Sequence, residues 1–87
     1  MRFEFDPAKS ALNTEKHGMD FVEAQLLWAD PALLVVQARN VDEPRFLAIG
    51  KIGARHWSAI YTMRDGAVRI ISVRRARREE IEHYESD

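Results

Sequence analysis

The stretch RFLAIGKIGARHWSAIYTMRDGAVRIISV, residues 45–73, decides the fold. It divides into RFLAIGKI (45–52), HWSAIYTM (56–63) and AVRIISV (67–73), separated by the short connections GAR and RDG. All three runs are rich in β-branched and aromatic residues, the composition of a pleated, half-buried surface. Just upstream, ALLVVQA (32–38) has the same character and is joined through the turn-like RNVDEP. Hairpin connections in succession predict a four-stranded antiparallel meander. In the third of its strands Trp57, Ala59, Tyr61 and Met63 share one face, and His56, Ser58, Ile60 and Thr62 share the other. The simplest packing sets helices on the tryptophan face and leaves the second face at least partly open.

The segments on either side supply the helices. RFEF alternates Phe3 and Phe5 with polar residues and reads as a short strand. Asp6 then suits an N-cap and Pro7 the first helical position. Ala8, Ala11 and Leu12 share a helical face, and Gly18 is placed to end the helix in the left-handed conformation. Asp20, with Glu23 three residues on, predicts a second helix carrying Phe21, Ala24, Leu27 and Trp28, stopped by the Asp-Pro at 30–31. ARREEIEHYESD predicts a final helix beginning near Ala76. A short strand, two helices, four strands and a last helix make an α+β order within one domain, 1–87.

Bulk composition narrows the function classes. The 87 residues are 46% hydrophobic and 31% charged, too apolar for disorder. There is no cysteine, which removes disulfides, thiolate metal sites and cysteine nucleophiles. No apolar run approaches membrane-spanning length, so a soluble, cytoplasmic protein without membrane contact is expected. The net charge of −1 conceals segregation: residues 1–38 carry −3, residues 39–78 carry +7 and residues 79–87 carry −5. A basic middle between acidic ends suggests a local anion site.

Within RIISVRRARREE (69–80), Arg74, Arg75, Arg77 and Arg78 crowd the end of the last strand before the sign flips at Glu79 and Glu80. A salt-bridged helix face would pair Arg75 with Glu79 and Arg78 with Glu82, in the less favourable orientation. Arg77 and Arg78 would also stand in a first helical turn, where the helix dipole disfavours cations. That conflict favours a phosphate site made of guanidinium groups and free backbone N–H groups. Lys9, at N3 of the first helix, repeats the conflict on a smaller scale, whereas Lys16 and His17 suit a helix C-terminus. Physics alone does not single out Arg64 in the RDG turn. Tyr84 reads as a packing residue, and His56 and His83 have no evident partner. No histidine or acid spacing resembles a metal-ligand set.

FEFDPAKSALNTEKHGMDF, the arginine-led RFLAIG, YTMR, and RIISVRRARREEIEHYE resemble, in the same order and over nearly the whole chain, the BrnT family of toxin–antitoxin ribonuclease toxins. Phe5 stands where tryptophan is common in such proteins, and the closing segment is more acidic than a free RNA-binding surface favours. The resemblance implies a RelE/ParE-like sheet with N-terminal helices on one face. It also implies endoribonucleolytic cleavage that stops translation, and a BrnA-type antitoxin whose DNA-binding domain brings the pair to its operator. By motif, Lys9, Asn13, Lys16 and His17 match the opening signature, Arg64 and Arg74 the two later arginines, and Arg75, Glu79 and Tyr84 the looser C-terminal part. On this reading Arg64 and Arg74 converge on the scissile phosphate, and His17 or Glu79 moves the proton of an attacking 2′-hydroxyl. Lys9, Lys16, Arg75, Arg78 and Tyr84 then hold RNA, and neither metal nor cofactor takes part. Two other classes stay open: a ParE-like toxin acting on a protein target, and a catalytically silent antitoxin-binding co-repressor.

Overall fold

The computed structural model describes residues 1–38 and 42–86, so residues 39–41 of the RNVDEP connection lie outside the described residues. Strands β1 (Arg2–Glu4), β2 (Leu34–Ala38), β3 (Arg45–Ile52), β4 (Arg55–Arg64) and β5 (Ala67–Arg75) form one sheet in the order β1-β5-β4-β3-β2. The predicted meander is present: β2, β3, β4 and β5 pair antiparallel in sequence order. The N-terminal strand joins it, pairing parallel to β5 through Arg2–Ala67, Phe3–Val68 and Glu4–Arg69, so the sheet is mixed and five-stranded. The β4–β5 hairpin closes through Asp65 (φ 52°) and Gly66 (φ 78°), the two left-handed residues that a type I′ turn requires. Further along, Tyr61 faces Ile70 while Ile60 faces Ser72, which leaves Ile71 as the extra residue of a bulge in β5.

Helix α1 (Pro7–His17) starts and stops as its ends dictate. The Asp6 carboxylate accepts the Ala8 N–H at 2.9 Å, and Gly18, at φ 79°, donates its N–H to Thr14 O at 2.9 Å. The second helical segment differs from the α-helix predicted: Glu23–Ala29 is a 3₁₀ helix. Asp20 still caps it, accepting the Glu23 N–H at 2.7 Å. Both ends are anchored, by Ser10 Oγ, which accepts the Phe21 N–H at 2.9 Å, and by Asp30 Oδ2, which accepts the Lys51 N–H at 2.9 Å. The longer rise of a 3₁₀ helix, about 2.0 Å per residue, lets a short segment bridge such fixed points. Helix α2 (Arg78–Glu85) also begins later than predicted, because Ala76 still donates its N–H to His56 O at 3.1 Å and Arg77, in extended conformation, is the N-cap.

The tryptophan face carries the core. Met19, Phe21, Ala24 and Leu27 are buried over Trp57, Ala59, Tyr61, Ile70 and Val73. Edge-on ring contacts run from Phe3 to Trp28 and from Trp28 to Tyr61, each with centroids 5.2 Å apart. The second face can be read row by row from the register. Arg64 lies beside Ala67 and Arg2, and Thr62 lies beside Arg69 and Glu4. Val36, Leu47, Ile60 and Ser72 form the next row. The last is Leu34, Ile49, Ser58 and Arg74, which α2 covers. Among the described residues, no helix is long and apolar enough to cross a membrane.

Candidate functional site

Because β1 ends opposite Arg69, β5 has no strand neighbour on that side from Ile70 onward among the described residues. Asn13 of α1 takes the place of one. Its Nδ2 donates to Val73 O and to Met19 O, each at 2.8 Å, and its Oδ1 accepts the Val73 N–H at 3.1 Å. A primary amide offers a donor and an acceptor in the geometry of a peptide group, so it satisfies both polar groups of a buried strand residue. Asn13 is only 6% exposed, and this anchor fixes the distance between α1 and the sheet edge.

The anchor leaves a cleft of about 190 Å³ lined by Lys9, Leu12, Lys16, His17, Ile71 and Ser72, with Asn13 at its wall. Lys9, Leu12, Asn13 and Lys16 follow the i, i+3, i+4, i+7 spacing of one helical face. The β5 bulge supplies the opposite wall through Ile71 and Ser72. Within the described residues, no side-chain hydrogen bond or ion pair engages Lys9, Lys16 or His17, and all three are exposed. The opening motif thus divides cleanly. Asp6, Pro7, Asn13 and Gly18 build the helix and its anchor, while Lys9, Lys16 and His17 present two cations and an imidazole to one cleft.

The strand-end arginines behave differently, and the expected guanidinium phosphate site is not formed there. Arg74 makes a two-pronged pair with Glu80, Nη1 to Oε1 and Nη2 to Oε2, both at 2.9 Å. Glu80 Oε1 also accepts the Ser58 hydroxyl and the Arg77 N–H, each at 2.8 Å. The Arg74 hydrogen bonds, helped by those from Arg77 and Ser58, outweigh burial and pull the Glu80 pKa from 4.5 to about 2. Arg74 is correspondingly held in its protonated form. Arg75 points to the other face, its guanidinium 5.7 Å from the Trp57 ring centroid rather than against Glu79. Arg77 is the N-cap of α2 instead of a first-turn residue, and Arg78 contacts Glu82 at 3.5 Å. Alternation along β5 separates Arg74 from Arg75, and α2 brings a carboxylate, not a gap, to Arg74.

Arg64 and Arg74 do not converge either. Both lie on the second face, but Arg64 pairs across from Ala67 and Arg74 from Ser58. Six residue steps along β4 separate those positions, roughly 20 Å at a strand's rise of about 3.3 Å per residue. Glu79 is exposed in the first turn of α2. Tyr84 donates its hydroxyl to Asp30 Oδ2 at 2.6 Å, which pushes the phenol up to about 12. Burial acts to raise the Asp30 pKa, yet hydrogen bonds from Tyr84 and from the Lys51 and Ala32 N–H groups more than offset it, and the net shift is downward. His56, without a partner in the sequence reading, meets Glu85 at 2.7 Å and the edge of the Tyr84 ring at 5.3 Å. The signal for Glu80 was present: a glutamate three residues after the N-cap is the carboxylate half of a capping box. Arginine has no acceptor atom, so only that half forms.

Among the described residues, no three histidine or acid side chains group as a metal site. The geometry therefore defines a small α+β domain with a cationic cleft at a sheet edge, built around an asparagine that replaces a missing strand. The family model of the BrnT ribonuclease toxins of type II toxin–antitoxin systems matches residues 5–80, and the chain belongs to that family. No curated protein sequence matches it. Membership makes the chain a ribonuclease toxin with an antitoxin partner.

Proposed function

We propose that the chain is a metal-independent endoribonuclease whose RNA-cleaving cleft lies between α1 and the free edge of β5, on a RelE/ParE-like scaffold. One observation carries this reading: Lys9, Lys16 and His17 line a single cleft while making no internal ion pair among the described residues. RNA cleavage without a metal proceeds when the 2′-hydroxyl oxygen bonds to the adjacent phosphorus and the bond from phosphorus to the 5′ oxygen breaks. The hydroxyl proton must go to a base, the leaving oxygen must receive one, and the phosphorane charge must be held. An imidazole can both accept and release a proton, so it suits either transfer. The two ammonium groups suit the charge, in a term that weakens with salt. Arg64 and Arg74 enter separately. Arg64 is exposed on the second face, and Arg74 is committed to Glu80, so neither shares a phosphate with the other. Translation arrest follows from loss of messenger RNA, and a BrnA-type antitoxin with a DNA-binding domain neutralises the toxin and carries it to operator DNA.

The test is cleavage of a single-stranded RNA by purified chain, freed of antitoxin, with excess chelator. Products ending in 2′,3′-cyclic phosphate are expected. Lys9→Ala with Lys16→Ala is expected to reduce cleavage roughly tenfold or more and to flatten its salt dependence, and His17→Ala to remove a limb of the pH–rate profile. A strict divalent-cation requirement overturns the mechanism, and full activity when Lys9, Lys16 and His17 are all replaced by alanine overturns the site.

A further inference from the structure

The second face of the sheet is only partly occupied. Helix α2 covers the end bearing Ser58 and Arg74, and further along the face the Pro44 carbonyl accepts the hydroxyl of buried Thr62 at 2.6 Å. Its middle row is apolar and half-buried: Val36, Leu47 and Ile60. The far end is basic. Arg2, Arg45 and Arg64 are all exposed there, and Arg69 is already matched by Glu4 at 3.2 Å. Arg2 donates to the Asp65 carbonyl at 3.1 Å, and within the described residues none of Arg2, Arg45 and Arg64 pairs with a carboxylate.

From this pattern we infer that the second face is the seat of an acidic, amphipathic segment of the antitoxin, with apolar side chains on Val36, Leu47 and Ile60 and carboxylates at Arg2, Arg45 and Arg64. The inference rests on the toxin reading for the partner's existence, and it assigns the surface. Nucleic acid is the poorer occupant. A phosphate backbone needs a continuous run of cations or stacking aromatics, and here an aliphatic strip about one strand row wide interrupts the charge. A polypeptide helix or strand that alternates apolar and acidic side chains satisfies both parts at once. Ser72, in the same row as Ile60, also lines the α1–β5 cleft. A segment lying along that row reaches the cleft rim, so docking and inhibition of RNA cleavage become one event.

The experiment measures affinity of the full chain for its co-expressed antitoxin, after separation and titration, beside affinity for a labelled single-stranded RNA. Arg2→Glu with Arg45→Glu is expected to weaken antitoxin binding at least about tenfold, with a matching loss of salt dependence, and to leave RNA cleavage unchanged. Val36→Lys separates the occupants: it adds positive charge but spoils the apolar row. It is expected to weaken antitoxin binding while leaving RNA binding equal or stronger. Should Val36→Lys perturb folding, as read by thermal unfolding, Val36→Thr gives the same comparison at nearly constant volume. Wild-type antitoxin affinity in both variants overturns the inference, as does a larger loss of RNA affinity than of antitoxin affinity. Self-association of the chain alone that Val36→Lys abolishes also overturns it, making the face a contact between copies. Titration does not depend on catalysis, so an inert ribonuclease would overturn the mechanism above and leave the docking result standing.

Discussion

The α1–β5 cleft and the arginine-rich end of β5 are both concentrations of positive charge, and they have opposite fates. In the cleft, Lys9 and Lys16 stand two helical turns apart on a helix pinned by one asparagine, and among the described residues neither is ion-paired. At the strand end, four arginines in five residues are dispersed. One is clamped by Glu80, one lies over Trp57, one caps α2 through its backbone, and one meets Glu82 on the surface. What separates the two regions is the direction in which successive side chains leave the backbone. A helix returns residues 9, 12, 13 and 16 to one side, whereas a strand sends adjacent residues to opposite faces. Charge density along a sequence is therefore a poor guide to charge density in space when the segment is a strand.

The largest test of this contrast is Asn13→Ala. It removes three hydrogen bonds and leaves the N–H and C=O of Val73 and the carbonyl of Met19 buried without partners. At about 1 kcal/mol each, the loss is roughly 3 kcal/mol. That predicts a fall in Tm of about 15 °C for a domain of this size, with RNA cleavage lost below the melting range as α1 drifts from the sheet edge. A small change in Tm would mean that the anchor does not define the cleft.

Next in size is the Arg74–Glu80 pair. Its side chains are 19% and 12% exposed, between the surface and fully buried cases, so Arg74→Ala is expected to cost about 2 kcal/mol in urea unfolding at pH 7. The pH dependence has a fixed sign. Glu80 titrates near 4.5 when unfolded and near 2 when folded. Its contribution is complete above the unfolded value and disappears as the pH falls toward 2. The wild type should lose stability across that window, and Arg74→Ala should lose less. Equal acid sensitivity in both proteins would mean that the pair is not what holds α2 to the sheet, and the strand-end arginines would again be open to a ligand.

Much of this architecture was legible in the sequence, for reasons that differ by element. The meander follows from period-two alternation and short turns, and both ends of α1 follow from Asp6, Pro7 and Gly18, because those signals are local. The parallel pairing of β1 with β5 joins residues more than sixty apart, and nothing in RFEF specifies which edge it takes. The site was legible only in part. Lys9, Lys16 and His17 were named through resemblance, and the helix period gathers the two lysines. The convergence of Arg64 and Arg74 failed because it depended on strand register, which a one-residue turn or bulge resets. The role of Glu80 is hidden in the sequence because a carboxylate in a first helical turn serves its own helix equally well as a strand arginine. Here it serves both.

The smallest expected effect lies at Arg78 and Glu82, which a surface reading would pair. They do meet, at 3.5 Å, with side chains 89% and 69% exposed. The basic residue is nearer the N-terminus, the weaker orientation, and it sits where the α2 dipole opposes it. Two long side chains must also be ordered to hold the contact in water. Arg78→Ala should therefore change stability by less than about 0.5 kcal/mol, and removing a cation from a helix N-terminus makes slight stabilisation the expected sign. If the substitution instead leaves stability alone but reduces RNA affinity and its salt slope, then Arg78 works with the cleft lysines, and the strand end contributes to binding through a charge held only by an exposed contact with Glu82.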